Sequence, residues 1–177
     1  VMKIIISPAK KMRVGNDFFE PRTTPRLLSK TKILQSYLQS LSYDELKKLL
    51  CCSDRIAEES FRQVQKMDLN RNPAPALLSY VGIQYQYMAP QLFTLEQFAY
   101  AHSGLRILSG FYGLLRPFDG VVPYRLEMQA KCRISSCKNL YEFWKDDLFR
   151  ALTEEDDTIL NLASAEYSRA VAPHAGN

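Results

Sequence analysis

A chain of 177 residues, 46 % hydrophobic and 24 % charged, holds enough apolar material for one self-supporting core. That excludes wholesale disorder and any dependence on disulfide or metal staples, and it suits a single domain over residues 1–177. A formal charge of +4, from 23 Lys and Arg against 19 Asp and Glu, neither demands nor excludes a polyanionic partner.

In chain order, Met2 to Ile6 reads as one β-branched strand suited to a sheet interior. The run is too short for a membrane span or for the apolar stretch of a signal peptide, so the expected location is the cytoplasm and no membrane partner is expected. Pro8 ends the strand because it lacks a ladder donor. Residues 12–24 read as an irregular loop, and Pro25 is placed to open a helix carrying Leu27, Leu28, Ile33, Leu34, Tyr37, Leu38 and Leu41. Ser42-Tyr-Asp-Glu45 is a capping box, and Ser53-Asp54 starts another helix with Ile56, Phe61, Val64 and Met67. Residues 70–75 form a turn or linker.

Ala76 to Val81 reads as a short strand. Thr94 caps a helix to about His102, and Leu105 to Leu108 is a buried strand. Pro123 to Ala130 is extended or irregular. Asn139 to Leu152 reads as one helix, Thr158 to Leu162 as a strand and Ser164 to Val171 as a short helix. Alternating strands and helices predict an α/β (α+β) fold with a mixed sheet flanked by helices.

Two histidines and four cysteines make a poor transition-metal set, so neither a metal nor any other cofactor is expected. Cys132 and Cys137 lie among Lys131, Arg133 and Lys138, cations that would favour a thiolate and hence a peroxide-sensing role; packing as small apolar residues is the commoner fate.

The charge is unevenly spread. Residues 1–32 carry a net +6, residues 33–102 a net −1, residues 103–138 a net +4 and residues 139–177 a net −5. Two basic segments can form a polyanion-binding face if folding joins them. The second contains the most unusual spelling in the chain, residues 109–128, with three of the seven glycines (Gly110, Gly113, Gly120) beside Arg116, Tyr124 and Arg125. Glycine permits close approach, arginine offers a forked donor to phosphate, and tyrosine can stack on a base. The plainer alternative is that Arg116 and Arg125 pair with Asp119, Glu127 or acids of the tail, with Glu142 and Glu166 as further partners. Gly110-Phe-Tyr-Gly113 also resembles the hairpin of a helix-hairpin-helix element, although that motif spaces its glycines more closely.

Ile6-Ser-Pro-Ala-Lys10, Leu108-Ser-Gly-Phe-Tyr-Gly-Leu-Leu-Arg-Pro117, Pro123-Tyr-Arg-Leu-Glu-Met128, Asn139-Leu-Tyr-Glu-Phe-Trp144 and Asn161-Leu-Ala-Ser-Ala-Glu-Tyr167, in this order, resemble the bacterial YaaA family of peroxide-stress proteins. The resemblance implies a cytoplasmic protein of the oxidative-stress response that lowers free intracellular iron. It also implies DNA binding, on a family-specific fold with a basic cleft. Family members continue past the position of Ala172-Pro173 with further strands and a basic segment, so a C-terminal part is expected beyond these residues.

The leading expectation is a non-enzymatic DNA-binding protein. Ser7, Lys10, Arg116, Tyr124 and Arg125 would line one groove, Lys11 and Arg13 would extend it, and Ser109, Gly110 and Gly113 would shape it. The alternative is an enzyme acting on a nucleobase or nucleotide in the same cleft. Lys10, Ser109, Tyr124, Glu127, Asn161 and Glu166 would then supply acid–base groups, and Ser7 with Lys10 a nucleophilic pair. Direct iron chemistry fits the ligand inventory least well.

Overall fold

In a computed structural model, which describes residues 2–15 and 19–176, the polypeptide folds around a four-stranded mixed sheet. The elements follow in chain order: β1 (Lys3–Ile6), β2 (Lys11–Met12), α1 (Leu28–Ser40), α2 (Tyr43–Leu50), α3 (Asp54–Gln65), β3 (Ala74–Pro75), α4 (Ala76–Ser79), β4 (Tyr80–Val81), α5 (Ile83–Met88), α6 (Leu95–Gly104), β5 (Leu105–Ser109), β6 (Gly113–Leu115), β7 (Gly120–Val121), α7 (Leu140–Trp144), α8 (Asp147–Thr153), β8 (Ile159–Asn161) and α9 (Ala165–Ser168). The main sheet has the order β6-β5-β1-β8, with β1 parallel to both β5 and β8 and β6 antiparallel to β5. Two short antiparallel pairs, β2 with β4 and β3 with β7, tie the loops to this frame.

The strand order carries a functional consequence. From β1 the chain crosses to β5 on one side, then returns to place β8 on the other side of β1. Such a reversal leaves a crevice at the carboxyl ends of the parallel strands, the usual ligand position in open α/β sheets.

Register assigns the two faces. Ile4 aligns with Leu105 and Leu160, and Ile5 with Arg106 and Asn161. On the Ile5 face, Ile5 and Leu108 are inaccessible, and Glu155, after α8, pairs with Lys3 at 3.8 Å and with Arg106 at 3.0 Å, while Asn161 at the β8 edge is exposed. On the Ile4 face, α6 packs against β1 and β5. An apolar groove of about 410 Å³, lined by Met2, Ile4, Phe93, Tyr100 and Leu105 among others, stays open there, and Leu160 beside it is exposed.

Local signals account for most helix starts. Ser42 and Thr94 close capping boxes with Glu45 and Gln97, and Ser53 and Asn139 cap α3 and α7. Four expectations need correction. Residues 76–79 form a helical turn, not strand, with Ser79 Oγ donating to the Pro75 carbonyl at 2.8 Å; an apolar run this short does not distinguish the two states. The first long helix begins at Leu28, three residues after Pro25. The expected helix 139–152 breaks at Lys145, where φ is +52°. There the Lys30 ammonium reaches both the Phe143 carbonyl and the Asp147 carboxylate, satisfying groups that the break exposes. Finally, Gly110–Gly113 joins strands β5 and β6, so its flanks are not those of a helix-hairpin-helix. Of the loop expected over residues 12–24, Lys11–Met12 pairs as a strand and 16–18 lie outside the described residues.

Candidate functional site

Three chain segments meet beyond the carboxyl ends of the parallel strands. The first leaves β1 as Ser7-Pro8-Ala9-Lys10, and the second leaves β8 and enters α9 through Ser164 and Glu166. The third, Tyr124 to Gln129, crosses the end of β5. It passes so close that a Cβ on Gly110 would stand 2.7 Å from the Leu126 carbonyl oxygen and 3.1 Å from the Met128 nitrogen.

Hydrogen bonds lock these segments. The Ser164 amide donates to Ser7 Oγ at 2.8 Å, and the Ser7 and Ser164 hydroxyls stand 3.1 Å apart. The Ser7 carbonyl accepts from Gln84 Nε2 and the Tyr85 hydroxyl at 2.6 and 2.8 Å. Beneath the crossing, Ser109 Oγ and the Tyr80 hydroxyl bracket the Tyr124 hydroxyl at 2.6 and 2.7 Å. Ser109 Oγ also accepts from the Phe111 and Tyr112 amides. This relay is buried, and burial pushes the Tyr124 phenol up to about 12. Its work is to hold the crossing segment down.

Above the relay sits a cluster of mixed charge. Lys10 Nζ lies 3.4 Å from Glu127 Oε1 with its side chain 67 % exposed. Arg125 Nη2 is 3.8 Å from the same oxygen, with Arg125 22 % and Glu127 17 % exposed. Gln129 Nε2 donates to the other Glu127 oxygen at 3.3 Å. Arg125 Nε is buried and makes no hydrogen bond among the described residues, a costly state for a charged donor. Glu166 completes the cluster. Burial first and the Glu127 charge second push its carboxyl above the usual range, while Lys10 and the Gln129 amide pull it back. Arg125, Lys10, Glu127 and Glu166 therefore offer an anion seat beside two acceptors.

The expected site residues divide accordingly. Ser7, Lys10 and Arg125 come together at this notch. Ser109, Gly110 and Tyr124 lie directly beneath it as buried supports. Gly113 is structural: its φ is +79°, and a Cβ there would meet the Trp144 ring at 2.9 Å. Lys11 is exposed on β2, and Arg13 reaches a separate cavity of about 340 Å³ lined also by Tyr80, Tyr85 and Gln86.

Arg116 does not join them. Strand β6 runs back along β5, so Arg116 leaves the sheet towards the amino end of β5. There it pairs with buried Asp119 at 2.9 Å, donates to the Thr24 carbonyl, and contributes with Arg106 to lowering the His102 pKa, an effect led by burial. Among the described residues, the single groove expected to hold Arg116 with Lys10 and Arg125 does not form, because the β-hairpin reverses the chain between them.

Other expectations change too. Ser7 binds Ser164, and Lys10 faces Glu127, so the nucleophilic Ser7–Lys10 pair is not formed. Glu142 accepts from the Lys138 amide and does not serve Arg116 or Arg125. Cys132 is fully buried, and burial pushes its thiol up to about 12, opposite to what a peroxide-sensing thiolate requires. Among the described residues, no group of three or more His, Cys, Asp or Glu stands placed to hold a metal ion. Ser164 is the partner that sequence reasoning missed. Its signal was the repetition, after β8, of the strand-then-serine pattern that follows β1.

A family model described as peroxide stress protein YaaA matches residues 2–177. The chain belongs to the peroxide stress protein YaaA family. Among curated relatives, the UPF0246 protein DSY0297 of Desulfitobacterium hafniense is 61 % identical over 170 residues, covering 96 % of this chain and 68 % of the relative. A UPF0246 protein of Lactiplantibacillus plantarum is 54 % identical over 173 residues, covering 98 % of this chain and 70 % of the relative. One from Agathobacter rectalis is 51 % identical over 170 residues. Family membership supports a role in peroxide stress. Among the described residues, no helix is long and apolar enough to cross a membrane.

Proposed function

We propose that this chain serves the peroxide stress response as a DNA-binding protein, with lower free iron and less oxidative damage as the cellular outcome. The observation that carries the DNA part is the run of exposed cations Lys10, Lys11 and Arg13, which leaves the strand-end notch where Arg125 holds Glu127 only loosely, at 3.8 Å. A planar guanidinium is shaped for two phosphate oxygens, and ammonium groups beside it add sequence-independent attraction. The iron part rests on the family alone. DNA contact is proposed to act on iron indirectly.

Phosphate contact predicts affinity for a duplex of about 20 base pairs that falls steeply with salt, each lost cation reducing the slope of log K against log salt by about one. Lys10→Ala and Arg125→Ala should each weaken binding to unrelated sequences alike, and Glu127→Gln should strengthen it. Fluorescence anisotropy across a salt series reads all three, with circular dichroism checking the fold. Folded Lys10→Ala and Arg125→Ala proteins that keep the parent affinity and slope would sink the assignment.

A further inference from the structure

A groove that only tracks a phosphate backbone gains nothing from carboxylates, yet this notch sets Glu127 and Glu166 beside Lys10 and Arg125. Both carboxylates lie at the carboxyl ends of parallel strands, where open α/β sheets receive small ligands. Arg125 holds Glu127 only loosely, at 3.8 Å through Nη2, a pair weak enough for an incoming anion to replace. Glu127 and Glu166 repel each other, so a donor placed between them relieves the repulsion. The ligand this arrangement fits carries an anion at one end and hydroxyl or amino donors a few ångströms away. Gly110 and the Ser7–Ser164 pair fix the three backbone segments, so the notch is preorganised.

We propose that the notch of Lys10, Arg125, Glu127 and Glu166 binds one nucleoside monophosphate unit, its phosphate on Arg125 and Lys10 and its sugar hydroxyl or exocyclic amine on the two glutamates. The assignment deepens the DNA-binding reading and rests on it for the choice of a nucleotide over other anions that carry hydroxyl or amino donors. The unit comes either from a free mononucleotide or from an unpaired nucleotide of DNA, and the chemistry is the same.

The deciding titrations use the wild-type chain, so that their outcome depends on no variant's folding. Deoxyadenosine monophosphate and deoxycytidine monophosphate are titrated into ¹⁵N-labelled protein. The expected result is shifts centred on the amides of residues 7, 9, 10, 125–129 and 161–166. Inorganic phosphate should bind at least about tenfold more weakly, because it meets only the cationic half. Arg125→Lys, which keeps the charge but loses the planar fork, should also lose about tenfold in mononucleotide affinity. Competition separates the sources. Displacement of the mononucleotide by a duplex with one unpaired nucleotide, but not by a fully paired one, assigns the DNA source; displacement by neither assigns the free nucleotide. Both outcomes support the site. Absence of shifts at these amides, or phosphate binding as tightly as the nucleotides, overturns it. Salt-dependent duplex binding lost in Lys10→Ala would then still stand, whereas mononucleotide binding without duplex binding would remove the DNA reading and keep this one.

Discussion

Replacing Asp119 with alanine separates a structural role for Arg116 from a ligand-binding one. The Asp119 side chain is 1 % exposed and accepts from the Arg116 amide at 2.7 Å and from Arg116 Nε at 3.1 Å, with Nη2 at 2.9 Å. Arg116 is itself only 25 % exposed, and its one other described acceptor is the Thr24 carbonyl. Asp119→Ala therefore strands a largely buried guanidinium and a backbone amide together. Breaking a buried pair from one side costs about 3–5 kcal/mol. In a chain of this size each kcal/mol moves Tm by roughly 2–4 °C, so a fall of roughly 6–20 °C is expected. Arg116→Ala should cost a comparable amount, because it leaves a buried carboxylate with only the amide. The double variant should be clearly more stable than the sum of the two losses, with a coupling of at least about 1 kcal/mol. Urea and thermal unfolding of all four proteins close the cycle. An Asp119→Ala protein within about 1 kcal/mol of the parent, or losses that simply add, would refute the clamp. At temperatures where Arg116→Ala is folded, the salt slope of DNA binding should match the parent.

Three further outcomes follow from the same geometry. Gly110→Ala forces a methyl to within 2.7 Å of the Leu126 carbonyl oxygen, a backbone atom, so it should cost about 1–3 kcal/mol by chemical denaturation and shift the amides of residues 125–129. At about pH 8, a thiol reagent should label exposed Cys51 rapidly and Cys132 only at the rate of unfolding, since burial keeps the Cys132 thiol protonated; prompt labelling of Cys132, read by mass spectrometry, would contradict the packing. Glu166 is raised in the folded state, so the native protein holds this proton after the unfolded chain has released it. Its contribution to stability is present below the unfolded pKa and is lost as pH rises through the folded one; Glu166→Gln should flatten the dependence of urea midpoints between about pH 4 and 7.

Much of the frame was legible because it is written locally. Ser42, Ser53, Thr94 and Asn139 announce helix starts through contacts within three residues, and the apolar spelling of residues 3–6 and 105–109 suits buried strands. What stayed hidden depends on direction and distance. Arg116 and Arg125 are nine positions apart in one basic segment, yet the β5–β6 reversal sends the first towards the amino end of β5 while Arg125 lies beyond its carboxyl end. The break at Lys145 is bridged by a cation on α1, more than a hundred residues earlier, that no window around 139–152 contains. The Ser7–Ser164 bond joins positions 157 residues apart, so its pairing emerges only from the strand order.

That strand order also sets a schedule for synthesis. β1 is made first, yet both its neighbours come late: β5 begins at Leu105, and β8 at Ile159. At about 5–20 residues per second, the first strand waits roughly 8–30 s before its second partner emerges from the ribosome. Throughout that interval Ile4, Ile5 and Ile6 form an apolar segment without its final sheet, a natural target for chaperones and a hazard when they are depleted. Stabilising the interior sheet of this fold thus postpones its assembly until Ile159 to Asn161 has been translated.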